Sequence, residues 1–306
     1  MQKLSVEELS TFVDQAIQLL NPDVALACCS GPDVSIDEVL IYRAKGRIRS
    51  FLIQDFWGDV NLGLGVTADT IFVTDVTALE LTKKKVNANI VVTGPLKQIV
   101  DEHEFLIKPQ IERSRDDSSR ILIVGMSTVW DAPGYRENIE SILCALRSIE
   151  LSDQIVYRPH PLEGKKHFKE LDEIFAAAEL EVTWDRDSNI FDSILRTDLL
   201  ITAYSSVGFD AILYGSLYSR DVANVIYWLH NPDLYAFFQR YTGLERMPPA
   251  ESKLALDVLP GSQPELVLKK AISNSWRLEV NNRIKKYASP RAGPKTVVDN
   301  LIGPEA

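Results

Sequence analysis

The stretch that decides the fold is residues 199–215, LLITAYSSVGFDAILYG. Its first four residues are apolar or β-branched, which is typical of a buried strand. Ser205 and Ser206 interrupt the run, and from Val207 the apolar residues recur at helical spacing. A strand that passes through a hydroxyl-bearing turn into a helix places free backbone N–H groups and two hydroxyls at one point. The stretch therefore predicts an anion site at a helix N-terminus, where the helix dipole favours negative charge.

Strand and helix patterns alternate on both sides of this stretch. Further strands are predicted at 24–29, 49–55, 70–75 and 89–95 in the first half, and at 120–125, 154–158 and 181–184 in the second. Such alternation indicates an α/β fold with mostly parallel sheets, which bind ligands outside the carboxyl ends of their strands. The first half begins with a predicted helix, Ser5 to Leu20, and not with a strand and glycine loop. It is short for a full Rossmann domain.

The chain is long enough for two hydrophobic cores. It has 306 residues, of which 45% are hydrophobic, and this length exceeds the usual size of one core. A polar, turn-rich segment near residues 112–120 is predicted to link the two halves. We therefore predict an N-terminal α/β domain over 1–112, a C-terminal α/β domain over 120–280, and a tail over 281–306. For the tail, packing back on the N-terminal domain is left open.

Composition excludes several classes of function. The formal net charge is −10, and the densest basic run, residues 83–85, is typical of a solvated helix end, so a nucleic-acid partner is not expected. No window of 18 apolar residues occurs, so no transmembrane segment is predicted, while peripheral membrane association is left open. The N-terminus lacks an apolar signal core. Three cysteines without a CxxC pattern fit a reducing, cytoplasmic location.

Polar residues follow three predicted strands of the second half. Because the strands are predicted to be parallel, these residues are expected on one rim, where an Arg, a His and hydroxyl turns can form a phosphate clamp. Alone, a Ser-Ser turn is typical of a helix cap, and a His after a strand is typical of a structural His. Together they favour a phosphate site, since such sites need convergent donors. The predicted binding residues are Ser127, Thr128, Arg158, Pro161, Ser205, Ser206 and Asp210, with His160 in a catalytic role.

Residues 151–215 resemble a known family. The sequence YRPHP at 157–161, followed by TDLLITAYSSVGFD at 197–210, is similar to the CDP-glycerol glycerophosphotransferases and to bacterial capsule polysialyltransferases. The resemblance implies a GT-B-like fold, in which two Rossmann-like domains face a cleft, and a metal-independent, inverting transfer from a cytidine nucleotide. His160 would match the family's His-Pro histidine at the donor phosphate, and Ser205 and Ser206 its phosphate-holding serines. Ala203 departs from the family, which usually has Asp there.

The first half supplies candidates for the acceptor side. Transfer with inversion needs a base that removes the proton of the acceptor hydroxyl. Asp55 and Asp59 follow a predicted strand, and we prefer Asp55 as this base. The alternative to a catalytic role is that Asp55 caps the following turn and that Asp59 is merely solvated. Trp57, between them, fits sugar stacking or core packing equally. His103 lies among acidic residues, but consecutive positions point in different directions, so no metal site is predicted.

The resulting hypothesis is an enzyme that transfers a sugar or polyol-phosphate group in surface polysaccharide synthesis. Its donor would be a CMP- or CDP-linked nucleotide, its acceptor a glycan or polyol, and it would need no resident cofactor or metal. A UDP-sugar 2-epimerase-like enzyme shares the GT-B architecture and is the alternative activity. A non-catalytic GT-B-like scaffold also remains open, as does the oligomeric state.

Overall fold

The computed structural model describes residues 4–28, 33–94, 96, 120–126, 131–150, 154–161, 163–187, 189–287 and 293–302. The chain divides into two compact units, the first formed by Met1–Glu102 with Ser289–Ala306 and the second by His103–Ala288. Each unit contains one parallel sheet flanked by helices. The α/β fold with two parallel-sheet domains predicted from the sequence is confirmed. Most of the predicted linker lies outside the described residues.

The first unit is built on a sheet with strand order β1-β2-β3-β4. All neighbouring strands are parallel. Helices α1 and α2 begin with capping boxes, in which a serine and the glutamate three residues later exchange hydrogen bonds with backbone N–H groups. The elements are α1 (Val6–Leu20), β1 (Val24–Cys28), α2 (Ile36–Ala44), β2 (Arg49–Ile53), β3 (Thr70–Val73), α3 (Val76–Lys83) and β4 (Asn89–Val92).

The second unit is built on a sheet with strand order β10-β9-β8-β5-β6-β7. Its strands are also parallel. The strands are β5 (Arg120–Val124), β6 (Gln154–Arg158), β7 (Val182–Trp184), β8 (Leu199–Thr202), β9 (Asn224–Trp228) and β10 (Leu256–Val258). The helices are α4 (Tyr135–Ser148), α5 (Lys165–Ala178), α6 (Ile190–Leu195), α7 (Ser206–Tyr218), α8 (Pro232–Thr242), α9 (Pro248–Glu251), α10 (Pro264–Ala271) and α11 (Asn274–Lys286).

The core of the second unit follows from its central strands. Every residue of β8 and β9 is buried, because both are interior strands of a parallel sheet covered on its two faces. This explains why residues 199–202 are all apolar or β-branched. Helix α11 extends to Lys286 within the second unit, so the chain stays in this unit beyond the predicted boundary at 280.

A last helix, α12 (Gly293–Ile302), belongs to the first unit. Its Val297 packs against Phe51 of β2 and Phe72 of β3, whose rings stack with centroids 5.7 Å apart. Arg49 donates a hydrogen bond to the Leu301 carbonyl at 2.9 Å. The end of the chain therefore covers one face of the N-terminal sheet. None of the helices within the described ranges has the length and apolar character needed to cross a membrane.

Candidate functional site

The carboxyl ends of three adjacent strands, β8, β5 and β6, form one edge of the second sheet. Val124, the last residue of β5, pairs with Arg158 of β6 on one side and with Thr202 of β8 on the other. Because the strands are parallel, the chain leaves all of them on the same side of the sheet. The segments that carry the predicted phosphate-site residues therefore start side by side. Those segments begin at Gly125, Pro159 and Ala203.

Helix α7 begins at this edge, and two serines form its start. Ser205 is the N-cap, and its Oγ accepts a hydrogen bond from the Val207 N–H at 3.2 Å. Ser206 is the first helical residue, and both serines are half-buried. The first N–H groups of a helix have no acceptor within it, and the dipole of this 13-residue helix adds positive potential there. This end of α7 can therefore bind an anion such as phosphate.

Close packing beneath the first turn of α7 fixes its position. A Cβ on Gly208 would lie 2.8 Å from the Tyr227 Oη and 3.0 Å from the Val225 Cγ1, so glycine lets this turn approach β9 closely. The Tyr227 hydroxyl is buried and has no hydrogen-bond partner among the described residues. Burial, followed by the charge of Asp210, raises the pKa of Tyr227. Asp210, whose charge contributes to this shift, is half-buried and lies near this same end of α7.

His160 lies in the segment that follows β6, between Pro159 and Pro161. It is half-buried, and burial lowers the pKa of its imidazole. The ring is therefore neutral at neutral pH and offers one N–H donor and one acceptor. A phosphate brought close would favour the imidazolium form, so His160 is suited to exchange a proton with a departing phosphate.

Arg158, predicted as a phosphate ligand, has partners inside the protein. Its Nη1 donates hydrogen bonds to Asp185 Oδ2 at 2.9 Å, to the Asp187 carbonyl at 3.0 Å and to Ser193 Oγ at 3.1 Å. The Asp185 side chain is 1% exposed and also lies 3.8 Å from Arg120. Burial raises the pKa of Asp185, but hydrogen bonds from Ser193 and Arg158 outweigh it, and the net shift is downward. Arg158 therefore ties β6 to the segment between β7 and α6.

The turn after β5 is held by two tyrosines. The Met126 N–H donates to Tyr135 Oη at 2.8 Å, and the Met126 sulfur accepts from the Tyr204 N–H at 3.2 Å. These bonds connect the exit of β5 to the start of α4 and to the exit of β8. The predicted binding residues Ser127 and Thr128 of this turn lie outside the described residues.

A third helix begins at the same edge. Asn231 is the N-cap of α8, and its Oδ1 accepts from the N–H groups of Asp233 and Leu234 at 2.9 and 3.2 Å. A Cβ on Gly134, the residue before α4, would collide with this side chain. The N-termini of α4 and α8 are thus in close contact, and α7 begins from the strand between β5 and β9. Three helix N-termini on one edge of the sheet add to the positive potential there.

The first unit places Asp55 and Asp59 in a turn after β2. Asp55 is exposed, whereas Asp59 is half-buried. Burial raises the pKa of Asp59, the charges of Asp55 and Glu38 act in the same direction, and Lys85 opposes them. Lys85 also donates to the Gly58 carbonyl at 2.6 Å, which fixes the turn. Of the two carboxylates, Asp59 has the environment of a general base.

Trp57, between the two carboxylates, is a core residue. It is 2% exposed, and its Nε1 donates to Asp75 Oδ2 at 2.9 Å. The other carboxylate oxygen of Asp75 accepts from the Ala78 N–H at 2.8 Å and caps α3. The ring is therefore not available for stacking on a sugar. Within the described residues, no group of three or more His, Cys, Asp or Glu side chains is arranged to hold a metal ion.

Known proteins resemble this chain in structure. No protein-family model and no curated protein matched the sequence. Similar solved structures include an S. aureus MnaA complex with UDP, with a TM-score of 0.65 at 18% identity over 98% of this chain and 80% of that chain. The UDP-GlcNAc 2-epimerase from Neisseria meningitidis bound to UDP-GlcNAc has a TM-score of 0.63 at 13% identity, covering 99% and 83%. Acinetobacter baumannii MurG has a TM-score of 0.56 at 14% identity, covering 99% and 82%.

The chain has a GT-B-type fold. This agrees with the fold implied by the sequence resemblance, whereas the relation to glycerophosphotransferases or polysialyltransferases stays a prediction. In the GT-B second domain, one sheet edge brings together the exits of strands β6 and β8, which bear His160 and Ser205–Ser206. Sequence reasoning missed two features of this edge, the Asp185 partner of Arg158 and the burial of Glu163. The position of Glu163 three residues after His160 was the only signal for the second.

Proposed function

We propose that this chain transfers a sugar or polyol-phosphate group from a nucleotide-linked donor to a glycan or polyol acceptor. The observation that carries the proposal is the juxtaposition of the α7 N-terminus, with Ser205 and Ser206, and the segment that bears His160. A nucleotide phosphate has the negative charge and the acceptor oxygens that these donors complement. Two proteins of similar fold were solved with UDP or UDP-GlcNAc.

A cytidine nucleotide is the donor that we favour. The support is the sequence resemblance at residues 157–161 and 197–210. The same resemblance favours a role in surface polysaccharide synthesis.

In the proposed reaction, the acceptor hydroxyl oxygen forms a bond to the electrophilic carbon or phosphorus of the donor. Its proton passes to a carboxylate base, for which we propose Asp59 of the first unit because burial raises the pKa of its carboxyl. The bond from that centre to the nucleotide phosphate oxygen breaks, and the phosphate takes the electron pair. The start of α7 and the N–H of His160 would stabilise the negative charge that develops on the phosphate.

Nucleotide binding is the first test. Calorimetry with CMP, CDP and UDP should show binding of at least one, and His160→Asn should weaken it by about tenfold, the effect of one lost charged hydrogen bond. His167→Asn, on α5, is the matched control and should bind as the wild type does. Absence of binding by all three nucleotides at about millimolar concentration would contradict the donor site.

Turnover separates an enzyme from a scaffold. Donor consumption should be measured with a panel of CMP-, CDP- and UDP-linked sugars and polyols. Asp59→Asn should lower the rate by about 10²–10⁴-fold without a matching loss of nucleotide affinity. Asp55→Asn is the paired comparison, because it removes the exposed carboxylate of the same turn. Nucleotide binding with no donor consumption at all would favour the scaffold.

A UDP-sugar 2-epimerase is the second candidate, favoured by the fold comparison. UDP-GlcNAc 2-epimerases from Neisseria meningitidis and Methanocaldococcus jannaschii share the fold over most of this chain. Incubation with UDP-GlcNAc, followed by NMR of the sugar ring protons, distinguishes the two activities. Appearance of the 2-epimer with no acceptor present supports the epimerase. Consumption that depends on an added acceptor supports the transferase.

A further inference from the structure

Glu163 is a buried carboxylic acid close to the proposed phosphate site. Its side chain is 6% exposed, and Tyr157 Oη donates to its Oε1 at 3.4 Å. Its Oε2 is buried and has no hydrogen-bond partner among the described residues. Burial raises the pKa of Glu163 to about 7, while hydrogen bonds from the His160 backbone and from Tyr157 oppose the rise. The side chain therefore gains or loses a proton near neutral pH.

Hydrogen bonds connect this carboxyl to two segments of the site. The His160 backbone donates a hydrogen bond to the carboxyl, and the Glu163 N–H donates to the His160 carbonyl at 2.9 Å. On the other side, Tyr157 also hydrogen-bonds Tyr135, which accepts from the Met126 N–H at 2.8 Å. A continuous series of hydrogen bonds thus runs from the exit of β5 to the segment after β6.

The packing around the carboxyl leaves little room for water. A Cβ on Gly125 would collide with both Tyr157 Oη and Glu163 Oε1, so the backbone of β5 lies directly on this pair. Of the titratable groups that face Glu163, Tyr157 comes from β6 and Tyr135 from α4, and both have raised pKa values that keep them neutral at pH 7. The His160 backbone donates a hydrogen bond to the carboxyl from the same segment. An ionised Glu163 would still accept from Tyr157 and from the His160 backbone, but its Oε2 has no donor among the described residues and needs solvent, which it can gain only if this segment moves.

We infer that Glu163 is a positioning residue of the phosphate site. In its neutral form it holds the His160 segment against the exit of β5, and its ionisation loosens that segment and weakens nucleotide binding. The inference rests on the proposed function of this edge as a nucleotide site. Affinity is therefore expected to fall as the pH rises through neutrality.

The first experiment measures CDP and UDP affinity by calorimetry from about pH 5.5 to about pH 8.5. Glu163→Gln keeps the shape and remains neutral, and Glu181→Gln removes an exposed carboxylate as the control. The affinity of the wild type relative to Glu163→Gln should fall by about fivefold or more across this range. The control should follow the wild type. Ionisation of the nucleotide itself is common to all three proteins and cancels in the ratio. A ratio that does not change with pH would overturn the inference.

The second experiment needs no nucleotide. The imidazole signals of His160, assigned by their loss in His160→Asn, are followed against pH by NMR. The wild type should show two inflections, one from the ring and one from Glu163, and Glu163→Gln should show one. Equal curves would overturn the inference. If no nucleotide binds while the two curves differ, the proposed function fails and the coupling of Glu163 to His160 stands.

Tyr157→Phe provides a second variant if Glu163→Gln does not fold. It removes the hydroxyl that donates to Glu163 and keeps the buried ring. Loss of this hydrogen bond raises the pKa of Glu163 further, so the second inflection of His160 should move to higher pH. An inflection at the wild-type pH in Tyr157→Phe would contradict the role of Glu163.

Discussion

Ser205 and Ser206 are neighbours in sequence, but only Ser205 caps α7. Its Oγ accepts from the Val207 N–H, so Ser205→Ala should lower the free energy of unfolding by about 1 kcal/mol. The same variant should also bind nucleotide more weakly. Ser206→Ala should leave stability unchanged within about 0.5 kcal/mol and weaken nucleotide binding by about fivefold to tenfold. Urea unfolding and calorimetry of the two variants measure both quantities. Wild-type affinity in Ser206→Ala would remove its hydroxyl from the proposed site.

The proton on Glu163 also makes stability depend on pH. Its pKa is about 7 in the folded chain against 4.5 for an unperturbed glutamate. The folded state therefore holds this proton more tightly, and the resulting stability is fully present below about pH 4.5 and lost as the pH rises through about 7. Between these limits the wild type should lose about 2–4 kcal/mol relative to Glu163→Gln. Urea unfolding of both proteins at about pH 5 and about pH 8 measures this difference. A constant difference would mean that Glu163 ionises normally.

The position of α7 depends on the missing side chain of Gly208. Alanine there would place a Cβ 2.8 Å from Tyr227 Oη and 3.0 Å from Val225 Cγ1, which moves the first turn away from β9. Overpacking of this kind costs about 1–3 kcal/mol, offset by about 1 kcal/mol of helix propensity. We expect a small loss of stability but a clear loss of nucleotide affinity, since the displaced turn carries the binding N–H groups.

A partner substitution tests that explanation. The Tyr227 hydroxyl has no hydrogen-bond partner among the described residues, so Tyr227→Phe alone should be nearly neutral. In combination with Gly208→Ala it removes the 2.8 Å contact between the new Cβ and Tyr227 Oη, and should restore part of the affinity. If the double variant binds no better than Gly208→Ala, steric displacement of the helix is not the cause.

Arg158 holds several elements together, and its two proposed roles predict different results. Arg158→Met leaves the buried Asp185 carboxylate without its main ion-pair partner, which should cost about 3–5 kcal/mol of unfolding free energy. The double variant Arg158→Met/Asp185→Leu removes both charges and should recover at least half of that loss. With a structural role only, the double variant also recovers nucleotide affinity. A loss of more than about tenfold that persists in the double variant would support Arg158 as a phosphate ligand.

The elements of this fold could be predicted because their signals are local. Residues 121–124 and 199–202 are buried on both faces of a sheet, so they read as unbroken runs of apolar or β-branched residues. The two serines predict the start of α7, because serine is a preferred N-cap residue. The partner of Arg158 could not be predicted, because Asp185 lies 27 residues away and meets it only through the pairing of β6 with β7. Glu163 is likewise buried because the chain that leaves β5 packs against it. The residues next to Glu163 in sequence do not indicate that contact.

At the scale of the whole molecule, the order of the chain differs from the order in space. The last helix, α12, covers the N-terminal sheet although the whole second unit separates it from β4. The sequence leaves packing of the tail on the N-terminal domain open, but it does not specify which surface the tail covers. Helix α12 therefore completes the core of the first unit, and a chain truncated after the second unit would expose Phe51 and Phe72.

Adjacent valines of α12 test this dependence with a matched pair. Val297 is 6% exposed against Phe51 and Phe72, whereas Val298 is 45% exposed. Val297→Asp buries a charge without a partner and should cost about 3 kcal/mol or more, while Val298→Asp should change stability by less than about 0.5 kcal/mol. Hydrogen exchange measured by mass spectrometry should show lost protection in β2, β3 and α12 only in Val297→Asp. Nucleotide affinity should stay at the wild-type level in both, because the proposed phosphate site belongs to the second unit. If Val297→Asp instead removes protection from β5 and β8 to the same extent, the two units do not unfold separately.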